Sequence, residues 1–374
     1  MASRSSKIIA VTILLFSMFT SSAYGYVSSP YKPHAIKDAV RIKWVTKLKK
    51  EKLITRKPYQ FTSPVVDGDV LYIGAASGYF YAVDAVRGGK IWSIKLKSGV
   101  YADAAVDGGY VYAADRKGIV YAIRKDTGAI EWQSDAGAEI SATPLIVGDT
   151  IIVATTLKQV MAIDKNGGGK KWQTQKIGSL PPMTIKGASS PILYNGNIYV
   201  GYADGMFFCY SSADGGIVWT KLLSDRGADF MDIDSAPIVK DGVLFVATAE
   251  GKTIALNPSS GEEIWTASAG GANDLVMDDN IIYSAGNSKL AALEANSGIV
   301  VWEQKFDAPE ISSPVVRDDC LILLSTTGKL YVVNKKTGEV QYSRFLGKGS
   351  YGRPVVHENN IYVLSNKSRL FCLK

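Results

Sequence analysis

Residues 235–265 read SAPIVKDGVLFVATAEGKTIALNPSSGEEIW, and residues 312–342 read SSPVVRDDCLILLSTTGKLYVVNKKTGEVQY. The two phrases share their punctuation. Each opens on a Pro and a short apolar run, turns at Asp, continues through two runs rich in β-branched residues, and closes on Gly followed by a bulky aromatic residue. Short runs of that composition, bounded by Gly, Asp or Asn, are antiparallel strands joined by tight turns. The phrase is already present upstream, where Ser63-Pro64-Val65-Val66 opens, Asp67-Gly68-Asp69 turns and Gly89-Lys90-Ile91-Trp92 closes. All seven tryptophans (Trp44, Trp92, Trp132, Trp172, Trp219, Trp265 and Trp302) mark its end, at intervals of 37 to 48 residues, and Tyr342 extends the series. A rare residue returning at near-constant spacing within the same local sequence identifies a structural repeat.

The last copy, residues 352–374, stops after its third strand, while Arg41-Ile42-Lys43-Trp44 supplies a fourth strand with no unit of its own. Pairing the two removes the exposed edges and closes a ring. No segment has a sustained helical period. The expected fold is therefore all-β, a single eight-bladed β-propeller of four-stranded antiparallel blades over residues 41–374, closed by the N-terminal strand. Each indole is expected to pack over the neighbouring blade's turn, with its N–H on a backbone carbonyl. Gly89, Gly128, Gly261, Gly298 and Gly338 are expected to supply the positive φ of a bulged hairpin between third and fourth strands.

Arg4 and Lys7 precede an apolar run at 8–19, and Ala23 and Gly25 place small residues where a signal peptidase reads. Residues 1–25 read as a signal peptide and 26–40 as a tail, so the chain is expected to be exported. The run is short for a membrane-spanning helix, and no span is expected in the mature chain. The first cysteine is Cys209, so lipid attachment at the cleavage site is not expected. The net charge of +7 falls to +5 when Arg4 and Lys7 leave. Basic residues gather at Arg41, Lys43, Lys47, Lys49, Lys50, Lys52, Arg56 and Lys57, opposed only by Glu51. Such a stretch is either a solvated loop or a contact for anionic lipid, wall polymer or an acidic protein. No nucleic-acid module is recognisable, and no nucleic-acid partner is expected.

Catalytic constellations are sparse. His34 and His357 are the only histidines, too few for a metal cluster or a base beside a nucleophile. Residues 347–352 match GxGxxG as a string but precede a strand, so the helix dipole that holds a phosphate is missing. Cys209, Cys320 and Cys372 fall within strands, where free cysteine is a small apolar residue. No disulfide framework is expected, although a Cys320–Cys372 bridge between adjacent blades remains open.

Two connections between blades are longer than the rest, QTQKIGSLPPMTIKGA at 173–188 and KLLSDRGADFMDID at 221–234. They flank the fourth blade and should emerge together on one face. Leu180, Met183, Ile185, Phe230, Met231 and Ile233 alternate there with Lys186, Asp225, Asp229, Asp232 and Asp234. Apolar anchors ringed by charge suit a protein-binding surface. The apolar residues could equally tuck under their own loops, and the four Asp residues lack the spacing of a recognised calcium loop.

The repeat phrase, as in YAVDAVRGGKIW and VVNKKTGEVQY, resembles the repeats named after pyrroloquinoline quinone enzymes, from about Arg41 to Lys374. Within that superfamily the two long connections are similar to those of the BamB family of outer-membrane protein assembly factors. TIKGASSP at 184–191 matches that family's apolar–basic–Gly segment, with Lys186 where Arg is usual, and DIDSAPIV at 232–239 matches its paired-aspartate segment. The resemblance implies a non-catalytic periplasmic scaffold without a cofactor. Met183, Ile185, Lys186, Asp232 and Asp234 would contact a periplasmic domain of the barrel-inserting outer-membrane protein, and other subunits of the machinery would be further partners. Two alternatives are an envelope or wall-polymer binding module and a quinone-dependent dehydrogenase, although the Cys-Cys pair carried by many of the latter is absent.

Overall fold

The computed structural model describes residues 40–48, 60–175, 187–225, 231–270 and 274–374. These form eight four-stranded antiparallel sheets, with no helix among the described residues. Blade one comprises Val65–Asp67, Val70–Gly74, Tyr79–Asp84 and Lys90–Lys95, hydrogen-bonded in that order, and the next six blades repeat it. Blade eight is built from Val355–His357, Asn360–Ser365 and Arg369–Leu373, with Ile42–Lys47 as its fourth strand. The closure is the one the truncated last phrase predicts. Trp44 stands opposite Cys372 and Thr46 opposite Leu370. Arg41 and Lys374 exchange backbone bonds of 2.7 and 2.8 Å, and Arg344 Nη1 donates to the Val40 carbonyl at 2.5 Å.

Burial explains the composition of each strand. Second and third strands are covered on both faces by neighbouring blades, so they read as continuous apolar runs such as Val70–Gly74 and Tyr79–Asp84. Fourth strands form the rim and alternate between exposed and half-buried positions, as in Lys90–Lys95 and Val300–Lys305. Apolar clusters lie between blades rather than within them. Tyr72, Phe80 and Leu96 of blade one pack with Val111, Tyr121 and Ile123 of blade two. Every described inter-blade gap is filled in this way, which makes the disc stiff.

The indoles form a belt between blades. Trp92, Trp132, Trp219, Trp265 and Trp302 donate through Nε1 to the carbonyls of Lys125, Lys165, Pro258, Ala295 and Lys335, at 2.8 to 3.1 Å. Trp44 differs: its Nε1 is buried without a hydrogen-bond partner, and the carbonyl at the matching position, Ala85, receives the Tyr362 hydroxyl at 3.1 Å instead. Three ion pairs reinforce the belt, Asp67 with Lys125, Asp107 with Lys165 and Asp278 with Lys335, at 2.5 to 2.8 Å. Gly128, Gly261, Gly298 and Gly338 have positive φ as expected. In blade one the positive φ belongs to Gly88, not Gly89. A side chain at Gly88 would meet the Trp44 indole at 2.7 Å, whereas nothing lies within 4 Å of one at Gly89. The contact with the indole selects between two adjacent glycines that are equally permissive on their own.

Gly128→Ala should therefore destabilise the protein by about 1–3 kcal/mol, because it adds left-handed strain to a clash at 2.8 Å with Trp92. Gly89→Ala should change stability by less than about 0.5 kcal/mol. Paired urea titrations of the two variants measure the difference.

The cysteines form no bridge. Cys209 and Cys372 are buried and Cys320 is half-buried, all three as free thiols, and burial pushes the Cys209 thiol up to about 11. The open Cys320–Cys372 pairing is thus not made.

Candidate functional site

Antiparallel strands place the first-to-second and third-to-fourth turns at one end of every blade. The second-to-third hairpins and the connections to the next blade lie at the other. Both long connections are of the latter kind, so they leave the same face of the disc, on either side of blade four. That face is built on an aromatic base. The third strand of blade four, Met206–Ser211, packs Phe208 and Tyr210 into the seam with blade three, stacked at 5.4 Å, with Tyr202 edge-on to Phe208 at 5.4 Å. The Tyr202 and Tyr210 hydroxyls meet at 3.4 Å, and burial holds the Tyr202 phenol well above its ordinary pKa. These groups stay neutral and fix the hairpin above them.

The first connection returns to the described residues at Gly187, whose carbonyl accepts from Ala203 N at 3.2 Å. Its φ is +97°, and a side chain there would meet Thr156 at 2.6 Å. Ala188 bridges to Tyr202. Met183, Ile185 and Lys186 lie outside the described residues.

The second connection is seen at both ends. Ser224 Oγ donates to the Met231 carbonyl at 2.7 Å, Ile233 N to the Tyr202 carbonyl at 3.2 Å, and Ala249 N to the Asp232 carbonyl at 2.8 Å. The segment is thereby tied to the hairpins of blades four and five at once. Asp232 is 1% exposed and Asp234 is half-buried, each with interactions of its own. Ile233 is no surface anchor. It is fully buried with Leu223, Phe207 and Val246, in the space that a side chain at Gly201 would occupy. The sequence carried a signal for this: Ile233 stands four residues before Pro237, just as the buried Ile140 stands four before Pro144.

Charged groups surround the segment, and of these the sequence reading singled out only Asp225. Lys252 Nζ lies 2.6 Å from Asp225 and 3.2 Å from Glu250, and the hydrogen bond it donates to the Asp225 carboxylate raises its pKa. Asp225 N also donates to Glu250 Oε1 at 2.8 Å, and the Asp225 side chain is 76% exposed. Toward blade three, Lys158 pairs with Asp204 across the blade boundary. Lys158 and Asp204 share a place in the second-to-third hairpins of adjacent blades, whereas Asp225 sits in the connection itself. The basic stretch beyond Leu48 lies outside the described residues.

The GxGxxG string has a packing explanation. Gly349 lies against the Thr326 carbonyl and Gly352 against the Thr62 carbonyl, so each omits a side chain that backbone would exclude. Among the described residues no group of three or more His, Cys, Asp or Glu could hold a metal, and no helix is long and apolar enough to cross a membrane.

The family model described as outer membrane protein assembly factor BamB matches residues 76–283 and 209–374. The chain belongs to the BamB family. No curated protein sequence matches it. Among solved structures it is similar to BamB from Moraxella catarrhalis, with a TM-score of 0.73 and 19% identity over 88% of this chain and 100% of that one. It is also similar to the computationally designed protein Ika8 (TM-score 0.71, 13% identity, 87% of this chain and 98% of that one). A third likeness is to the quinohemoprotein alcohol dehydrogenase ADHIIG from Pseudomonas putida HK5 (TM-score 0.72, 14% identity, 90% and 76%). At such identities the likeness to each structure is one of fold, and a BamB and a dehydrogenase share it equally.

Proposed function

We propose that the protein is a non-catalytic scaffold of outer-membrane protein assembly. It is exported by residues 1–25 to the periplasm, and the face around blade four holds a periplasmic domain of the barrel-inserting subunit. The match to the BamB family model carries this reading. The two long connections support it by leaving the same face over the rigid base of Tyr202, Phe208 and Tyr210. Met183, Ile185 and Lys186 come from the first connection and Asp234 from the second. Asp232, enclosed as it is, acts by holding the second connection against Ala249. Apolar contact supplies affinity and the charges set orientation. Mixing the purified protein with the isolated periplasmic domains of a barrel-inserting protein tests the reading, and absence of a complex at micromolar concentration counts against it.

The likeness to a quinohemoprotein alcohol dehydrogenase leaves a quinone-dependent dehydrogenase as the second reading. Among the described residues no group of three or more His, Cys, Asp or Glu stands together to hold a metal ion.

A further inference from the structure

The face opposite the docking loops carries the indole belt, and the junction between blades three and four departs from it in three respects. At the third position of the second strand, blades one, two, four, six and eight carry Tyr72, Tyr112, Tyr199, Tyr283 and Tyr362. Each ring lies 6.0 Å from the indole of its own blade. Three of the hydroxyls reach the next blade's turn, Tyr199 to Pro258, Tyr283 to Lys335 and Tyr362 to Ala85, at 3.0 to 3.2 Å. Blade three has Ile152 in this place. The same junction lacks the ion pair, because Val147 and Ser212 occupy the positions of Asp107 and Lys165 in the preceding one. The indole bond is missing too: among the described residues no such bond joins Trp172 to blade four, although five other tryptophans make it. The result is a cleft of about 300 Å³ lined by Val147, Thr150, Ile152, Lys171, Trp172 and Ser212.

We infer that this cleft binds a phenolic ring, which takes the place of the tyrosine that blade three omits. Size permits it, since a cavity of about 150 Å³ admits benzene. The frame is that of the tyrosine-bearing blades: an indole on one side, Ile152 where the phenol would be rooted, and the turn at Ser212 beyond. The Trp172 N–H is a donor and the Ser212 carbonyl an acceptor at the matching sequence position, a pair that a hydroxyl satisfies and a plain hydrocarbon does not. Lys171 closes the rim, held by the Asp149 carbonyl at 3.0 Å and Thr150 Oγ1 at 2.8 Å. Blade seven also has an aliphatic residue here, Ile322, but Tyr342 replaces its indole and no turn joins the third and fourth strands of blade eight. The frame is therefore not repeated there.

Titration of the full chain with p-cresol, followed by indole fluorescence and by the indole N–H resonances in NMR, tests the site. The expected result is saturable binding that moves the Trp172 resonance. Ile152→Tyr restores the repeat's own residue and should weaken binding at least tenfold with an unchanged or higher Tm. Val147→Asp with Ser212→Lys rebuilds the ion pair across the mouth and should do the same by an independent route. N-acetyltyrosinamide in competition separates the sources: displacement of p-cresol assigns the site to a partner's tyrosine side chain, and no displacement assigns it to a free phenol. Non-saturable binding, or equal affinity in the wild type and both folded variants, overturns the inference.

Discussion

Lys186→Glu is expected to weaken capture of the partner's periplasmic domain by about thirtyfold or more, and Asp234→Asn by a smaller factor in the same direction. Reversing a charge at a docked interface replaces attraction by repulsion, and truncating one member of such a pair costs about 2 kcal/mol or more. Surface plasmon resonance in two salt concentrations reads the effect, and the wild-type association rate should fall as salt rises. The choice of Asp232 variant follows from its burial. Asp232→Lys would force an ammonium into a place that is 1% exposed, so any loss of capture would be confounded by unfolding. Asp232→Asn keeps the shape and isolates the charge. Unaltered affinity in Lys186→Glu and Asp234→Asn, each with an unaltered circular dichroism melt, would remove blade four's face from the proposed function.

Removing the N-terminal strand is the second large effect. A chain beginning at Leu48 lacks Ile42–Lys47, which exposes the edge of Arg369–Leu373 and takes Trp44 from beneath Gly88 and Tyr362. Loss of one large aromatic side chain from a packed site alone costs about 3–5 kcal/mol. The open edge adds a template for pairing with another chain. The truncated protein should unfold at distinctly lower urea and self-associate in size-exclusion chromatography. A peptide spanning 40–48, added in excess, should restore both midpoint and monomer. If the truncated chain matched the full one in both measurements, the strand would not be what holds the ring.

The eight blades were legible because their markers are rare and periodic. Tryptophan, glycine and the Asp-bearing turns recur in fixed order, and no other packing of the chain uses them equivalently. The choice between Gly88 and Gly89 was not legible, since either glycine permits the turn and only the indole of another blade distinguishes them. The path of the second connection was half legible. Asp232 reads as a surface residue from its chemistry, yet it is carried inward by its neighbour Ile233, which follows the repeat's own rule for the residue four before Pro237. Lys158 with Asp204, and Asp225 with Lys252, were hidden because their partners come from different blades or distant hairpins. The blade three cleft required the eight copies to be compared position by position, and its evidence is what Val147, Ile152 and Ser212 replace.

The pairing of Ile42 with Leu373 also sets an order of events during biosynthesis. The ribosome delivers one partner more than three hundred residues before the other. The first must therefore wait, unsatisfied, while seven complete modules can already stack behind it. Ring completion is thus a late, single, long-range encounter, slow relative to the local hairpins. A chaperone that shields that waiting segment would govern the yield of mature protein without touching any of the modules.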